Sequence, residues 1–161
     1  MATCKFAFCQ ICSPRLVEKR QAFIAAGLQV AELTGLPSFL STNTLERSEC
    51  CETQYILLAR GRDKLRTKLD HHLKAKRGLG YAYYMAVDPT FDENNVKGNF
   101  FHLHTHGVWV VYSLNSNKTV ADIIDEDELY DLMKRLNCEA WCEATTGKPE
   151  GQDFQRIKDA N

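Results

Sequence analysis

The sequence predicts an α+β fold, an antiparallel sheet with helices packed on one face. Three observations carry this. Two β-prone stretches, Tyr81 to Val87 and Phe100 to Leu114, flank a segment holding Pro89, Asp92, Glu93, Asn94, Asn95 and Gly98, which is hairpin-loop chemistry. Leucines at helical spacing stand before and after that hairpin: Leu65, Leu69 and Leu73, then Leu129, Leu132, Met133 and Leu136. Strands joined by a hairpin and interrupted by helices group as α+β rather than as an alternating α/β chain.

Taken in order, Cys4 to Cys12 reads as a short knuckle, and Ser13-Pro14 opens a helix, serine as N-cap and proline in the first turn. Leu16, Phe23, Ile24, Leu28 and Val30 give that helix an approximate apolar face, and Gly35 and Pro37 end it. Residues 1–35 form this knuckle-and-helix region, and residues 36–53, rich in Ser, Thr, Asn and Glu, read as a linker. In the remaining domain, 54–161, Gln54 to Arg60 is a predicted strand and Asp63 to Lys76 a basic helix stopped by Gly78 and Gly80. The two hairpin strands follow. Asp125 to Asn137 is a helix with acids in its first turn, where the helix dipole favours them. Cys138 to Ala144 is predicted as a last strand, with Cys138 and Cys142 on one face toward the core, and the tail from Thr145 as loose.

The chain of 161 residues is long enough for one domain with a small appendage. It has no apolar run of the ~20 residues a membrane span needs, and no secretory signal. The cytoplasm is then the expected compartment, and seven cysteines there favour metal ligation over disulfides. The net charge of −1 conceals an asymmetry. Arg60 to Arg77 carries eight basic against two acidic residues; Val120 onward carries eleven acidic against five basic. The basic segment points to a polyanionic partner, or to a solvated helix face.

His102, His104 and His106 occupy alternate positions in a predicted strand, so their imidazoles project from one face. Imidazole is the commonest metal ligand, and three in five positions is a metal-site pattern. Asp88, at the end of the paired strand, can add a carboxylate for a hard ion such as Mg²⁺ or Mn²⁺, or it merely starts the loop with Pro89. The adjacent His71 and His72 do not face one another on a helix and read as structural or solvated. Cys4, Cys9 and Cys12 have the spacing of a Zn²⁺ knuckle, with Cys50-Cys51 able to complete it.

These segments, in this order, resemble the rolling-circle replication initiators of small bacterial plasmids, members of the HUH endonuclease superfamily. The resemblance rests on the cysteine-rich segment Cys4 to Arg15, on Gln54 to Ala59 with the following helix, on Gly80-Tyr81 through Asp88, on Phe101-His102-Leu103-His104 with its apolar continuation, and on Glu126 to Asn137. It implies a ferredoxin-like or RNA-recognition-like fold, with His102, His104 and Asp88 as metal ligands and His106 replacing His102 if the motif shifts by two. It also implies a metal-assisted attack by tyrosine on a phosphodiester of origin or single-stranded DNA. Arg60, Arg62, Lys64, Arg66 and Lys68 would then track the DNA backbone, and Tyr81 or Tyr83 would stack on bases.

The family's nucleophilic tyrosine lies on a further helix. Tyr130, in Tyr130-Asp-Leu-Met-Lys134, matches a Tyr-x3-Lys pattern, but its helix corresponds better to the preceding one. The domain then reads as truncated at its C-terminus: a fragment, a split protein or a degenerate member. The alternatives to a nicking initiator are a non-catalytic DNA-binding or regulatory relative without the tyrosine, and a metal-dependent phosphoester hydrolase.

Overall fold

The structure, a computed structural model, describes residues 13–45, 50–91, 101–145 and 152–157. The chain divides into two compact units, Met1–Gly35 and Leu36–Asn161. The first contains helix α1, Ser13–Thr34, which begins at the predicted Ser-Pro pair and ends where Gly35 takes φ 64° and bonds back to the Glu32 carbonyl. Its expected apolar face is narrower than predicted. Phe23 and Val30 are exposed, whereas Ile24 and Leu28 are half-buried and Ala31 is buried, because residues spaced by four and three share one side of a helix.

The second unit runs β1 (Ser38–Thr44), α2 (Cys51–Leu69), β2 (Leu79–Phe91), β3 (Phe101–Ser113), α3 (Glu126–Thr145) and β4 (Gln152–Arg156). It is α+β, with one four-stranded antiparallel sheet in the order β2-β3-β1-β4. Since β1 and β2 both run antiparallel to β3, they are parallel to each other, and α2 crosses between them. By the same reasoning α3 crosses between β3 and β4, with β1 lying between those strands. Both crossovers are thus split by an intervening strand.

Four expectations are corrected. The stretch read as a linker, 36–53, contains β1 and the start of α2. Its polar strand Ser-Phe-Leu-Ser-Thr-Asn-Thr lies in the sheet interior, where two of its buried side-chain oxygens find partners. Ser41 Oγ accepts a 2.8 Å bond from Trp109 Nε1, and the Asn43 side-chain oxygen accepts a 2.7 Å bond from Asn137. Gln54 to Arg60 is the first half of α2 rather than a strand. Gln54, Gly61, Leu65 and Leu69 recur at helical spacing and are buried, which outweighs the short run Tyr-Ile-Leu-Leu-Ala. The helix passes into a π-helical segment, Asp70–Ala75, and stops at Gly78, φ 65°. Cys138 to Ala144 extends α3, with Leu136, Ala140, Trp141 and Ala144 continuing its buried stripe, and the tail read as loose from Thr145 contains the strand β4.

The N-terminus of α3 is capped by the Asp125 carboxylate, which accepts from the amides of Asp127 and Glu128. Odd-numbered residues of β1, β2 and β3 face α2 and α3. Phe39, Leu103, Trp109 and Val111 join Leu65, Leu69, Leu136 and Trp141 in one core. Close approaches at Gly61 and Gly107 require glycine. A Cβ at Gly61 would lie 2.4 Å from the Trp141 ring, and one at Gly107 would lie 2.6 Å from Ser41 Oγ. Among the described residues no helix is long and apolar enough to cross a membrane.

Candidate functional site

Alternation on β3 places Leu103, Thr105, Gly107 and Trp109 toward the helices and His102, His104 and His106 on the opposite face. Among the described residues of this unit, no helix packs over that histidine face. Pairing arranges it in three rows. Thr90 of β2 is opposite His102. Asp88 of β2, His104 and Thr44 of β1 form the next row. Ala86 of β2, His106, Thr42 of β1 and Asp153 of β4 form the third.

The rings of His102 and His104 meet edge to face at 4.2 Å between centroids. Thr44 Oγ1 lies 3.2 Å from His104 Nδ1, and Thr42 Oγ1 lies 3.2 Å from His106 Nδ1. Each threonine engages Nδ1 of its imidazole, which leaves Nε2 as the nitrogen that could hold a metal. His102 and His104 are half-buried, whereas His106 and Asp88 are exposed. The donor set of three imidazoles and one carboxylate on a single face suits a divalent ion. Among the described residues, no three His, Cys, Asp or Glu side chains already surround a common point.

One buried residue behind this strand escapes sequence reasoning. Gln54 of α2 is fully buried, and its Oε1 accepts a 2.9 Å bond from the backbone amide of Leu103, the residue between His102 and His104. Nothing in the sequence signals this, because a glutamine amid an apolar run carries no periodicity of its own.

The other predicted site residues are not brought to this face. Tyr130 lies on α3, behind the sheet. Its hydroxyl donates a 2.9 Å bond to the Phe154 carbonyl, and its ring packs beside Phe39 and Phe154, with the Arg156 guanidinium 4.7 Å from its centre. The sheet therefore separates it from the histidines. The basic residues of α2 also lie on the helical side. Lys68 bridges Glu143 at 2.9 Å and Glu139 at 3.2 Å, Lys64 bridges Glu143, and Arg66 faces Asp70 at 3.8 Å. The Glu143 hydrogen bond raises the Lys68 pKa, and the Lys68 bond lowers that of Glu143. Part of the positive charge read as a DNA track is thus matched within the unit. Arg60 is exposed, and Arg62 pairs with its neighbour Asp63 at 3.5 Å.

Tyr81 and Tyr83 also face the helical side, where Tyr83 stacks on Trp109 at 4.8 Å between ring centres. Burial and a hydrogen bond to Asp70 push the Tyr81 pKa upward, while Lys74 and Tyr81 hold the Asp70 carboxyl below its usual range. The aromatic residues on the histidine face are instead Tyr84 and Tyr112, which alternation assigns to the same side as the even-numbered β3 residues. His71 and His72 lie in the π-helical segment, and burial lowers the His72 pKa.

Cys4, Cys9 and Cys12 lie outside the described residues, and Cys50 is exposed at the start of α2. Cys138 and Cys142 stand one helical turn apart on α3, half-buried, with their sulfurs 3.8 Å apart. Compared with known proteins, the sequence matches no protein-family model and no curated protein.

Proposed function

We propose that the unit Leu36–Asn161 is a HUH-type domain that binds single-stranded or origin DNA and holds one divalent ion, Mg²⁺ or Mn²⁺, through His102, His104 and Asp88, with His106 as the alternative ligand. One observation carries the reading: three imidazoles share the sheet face opposite the helices of this unit, and Asp88 stands directly across from the middle one. The element order and the two split crossovers support a ferredoxin-like fold. A reduced cytoplasm and a Zn²⁺ site at Cys4, Cys9 and Cys12 belong to the same reading.

A bound ion supplies Lewis-acid polarisation of a phosphate oxygen. The chain's own residues do the rest. The imidazoles and Asp88 define where a phosphate can approach, and Tyr84, farther along the same face, offers flat apolar surface to unpaired bases. Arg60 and Arg62, exposed on the helical side, belong to this reading only as contacts to DNA that extends beyond the histidine face.

Tyr130 has no place in this chemistry, since its hydroxyl is engaged behind the sheet. That observation favours, as a second reading, a DNA-binding relative that works without a tyrosine nucleophile. Two measurements test the proposal. Calorimetric titration with Mn²⁺ is expected to show one site in the wild type and none in His104→Ala; equal affinity in the two overturns the metal site. Incubating the protein with a labelled single-stranded oligonucleotide and Mn²⁺ separates the activities, through a covalent adduct, free cleavage products or binding alone. An oligonucleotide that is not bound with or without Mn²⁺ overturns the nucleic-acid reading.

A further inference from the structure

The paired threonines of β1 are not part of the metal-ligand reading, yet they meet the histidines in a repeated geometry. Thr44 is the register partner of His104 and Thr42 that of His106, and both hydroxyls lie 3.2 Å from Nδ1 of their partner. Two adjacent rows with the same contact through the same ring nitrogen fix both rings in the same sense. We infer that Thr44 and Thr42 are positioning residues that engage Nδ1 and so direct a metal ion to Nε2 of His104 and His106. This rests on the metal reading proposed above.

The physical argument turns on the proton inventory of imidazole. A neutral imidazole has one N–H and one bare nitrogen, and only the bare nitrogen ligates a metal. When Nε2 is the ligand, Nδ1 carries the proton and needs an acceptor. A threonine hydroxyl both donates and accepts, so it serves the ring in either tautomer and takes the Nδ1 proton bond once a metal is bound. Partners of this kind on the second ring nitrogen set ligand orientation and basicity, and their loss typically weakens metal binding by about 10- to 100-fold.

The two positions are not equivalent. The Thr44–His104 contact is partly buried, whereas Thr42–His106 is exposed to water, which can replace a lost hydroxyl. Thr44 therefore carries the larger effect. His104 also belongs to both alternative ligand pairs, so the expectation for Thr44 holds whichever of His102 and His106 joins it.

The test uses the full chain with Thr44→Val, which keeps the β-branched shape and removes the hydroxyl, and Thr44→Ser, which restores it. Mn²⁺ affinity by calorimetry is expected to fall about 10- to 100-fold in Thr44→Val and to return in Thr44→Ser. Thr42→Val should lose less than Thr44→Val. In long-range ¹H–¹⁵N spectra of the metal-free protein, Thr44→Val should shift the Nδ1 resonance of His104, which loses its hydrogen bond, while leaving the resonances of His72 in place. Loading with Zn²⁺ as a diamagnetic probe should shift the Nε2 resonance of His104 in the wild type. Wild type that binds Mn²⁺ while Thr44→Val binds it equally well overturns this inference alone, as does a Zn²⁺ shift at Nδ1. Wild type that binds no Mn²⁺ overturns the metal reading and this inference with it.

Discussion

Replacing Gln54 with methionine isolates the contact that ties α2 to the histidine strand. On β3 the Leu103 carbonyl faces β1, where it accepts the Leu45 amide at 3.0 Å, and the Leu103 amide points the same way. β1 ends at Thr44, so the acceptor for that amide comes from the Gln54 side chain at 2.9 Å. Methionine matches glutamine in length and in helix propensity, so α2 itself loses little. The buried amide of Leu103 is left without its acceptor, which costs about 1–3 kcal/mol. At roughly 4 °C per kcal/mol for a unit of this size, melting should fall by roughly 4–12 °C. Urea unfolding should show a lower midpoint with an unchanged slope, and the Leu103 amide should exchange its hydrogen faster than its strand neighbours. Mn²⁺ affinity should fall as well, because His102 and His104 flank the released amide. A stability change below about 0.5 kcal/mol, the usual scatter of a neutral surface change, together with unaltered Leu103 exchange would refute the argument.

Three other outcomes are expected. Gly61→Ala should destabilise the unit by about 1–3 kcal/mol in chemical denaturation, because the added Cβ meets the Trp141 ring at 2.4 Å; in a Trp141→Leu background the same change should stabilise α2 instead. Asp70→Asn should flatten the acid side of the stability–pH profile. Lys74 at 2.6 Å and the Tyr81 hydroxyl at 3.0 Å lower the pKa of Asp70, so its contribution is present above the unfolded-state value and is lost as pH falls through the folded one. Its side chain is 37% exposed, so the effect should stay within about 1 kcal/mol in denaturation at pH 7 against pH 3. Tyr130→Phe should cost about 0.5–1.5 kcal/mol by removing the bond to the Phe154 carbonyl, and should leave Mn²⁺ affinity and any oligonucleotide cleavage at wild-type levels.

The parts of the fold legible in the sequence are those where one physical signal acts alone. The hairpin strands and the first turns of α3 have clean periodicity, and the alternation of His102, His104 and His106 fixes their shared face directly. The errors fall where two signals compete. The run Tyr55-Ile-Leu-Leu-Ala59 has strand-like composition, but the positions that become buried, Gln54, Gly61, Leu65 and Leu69, include a polar residue and a glycine that no hydrophobicity count registers. β1 and β4 were hidden by polarity. Ser41 and Asn43 are buried through bonds to residues far along the chain, and β4 buries only Phe154. At the site, the sequence could place the imidazoles together but not Thr42 and Thr44, whose register against β3 is set by those same distant contacts. Nor could it reveal that Tyr130 and the basic helix share the opposite side of the sheet.

The position of β1 bears on how the unit folds in time. It comes first among the unit's strands, yet it lies inside the sheet, flanked by β3 and β4, so Phe39 pairs with Trp109 on one side and Arg156 on the other. Neither neighbour is local, and closing such long loops before any pairing is gained slows the search for the native state. While it waits, β1 is an unpaired strand of the kind that promotes association between chains. Its composition answers that hazard: Ser38, Ser41, Thr42, Asn43 and Thr44 leave only Phe39 and Leu40 as apolar side chains. The polarity that conceals this strand in the sequence also disfavours such association, and the hydroxyls of Thr42 and Thr44 stand beside the histidines in the folded unit.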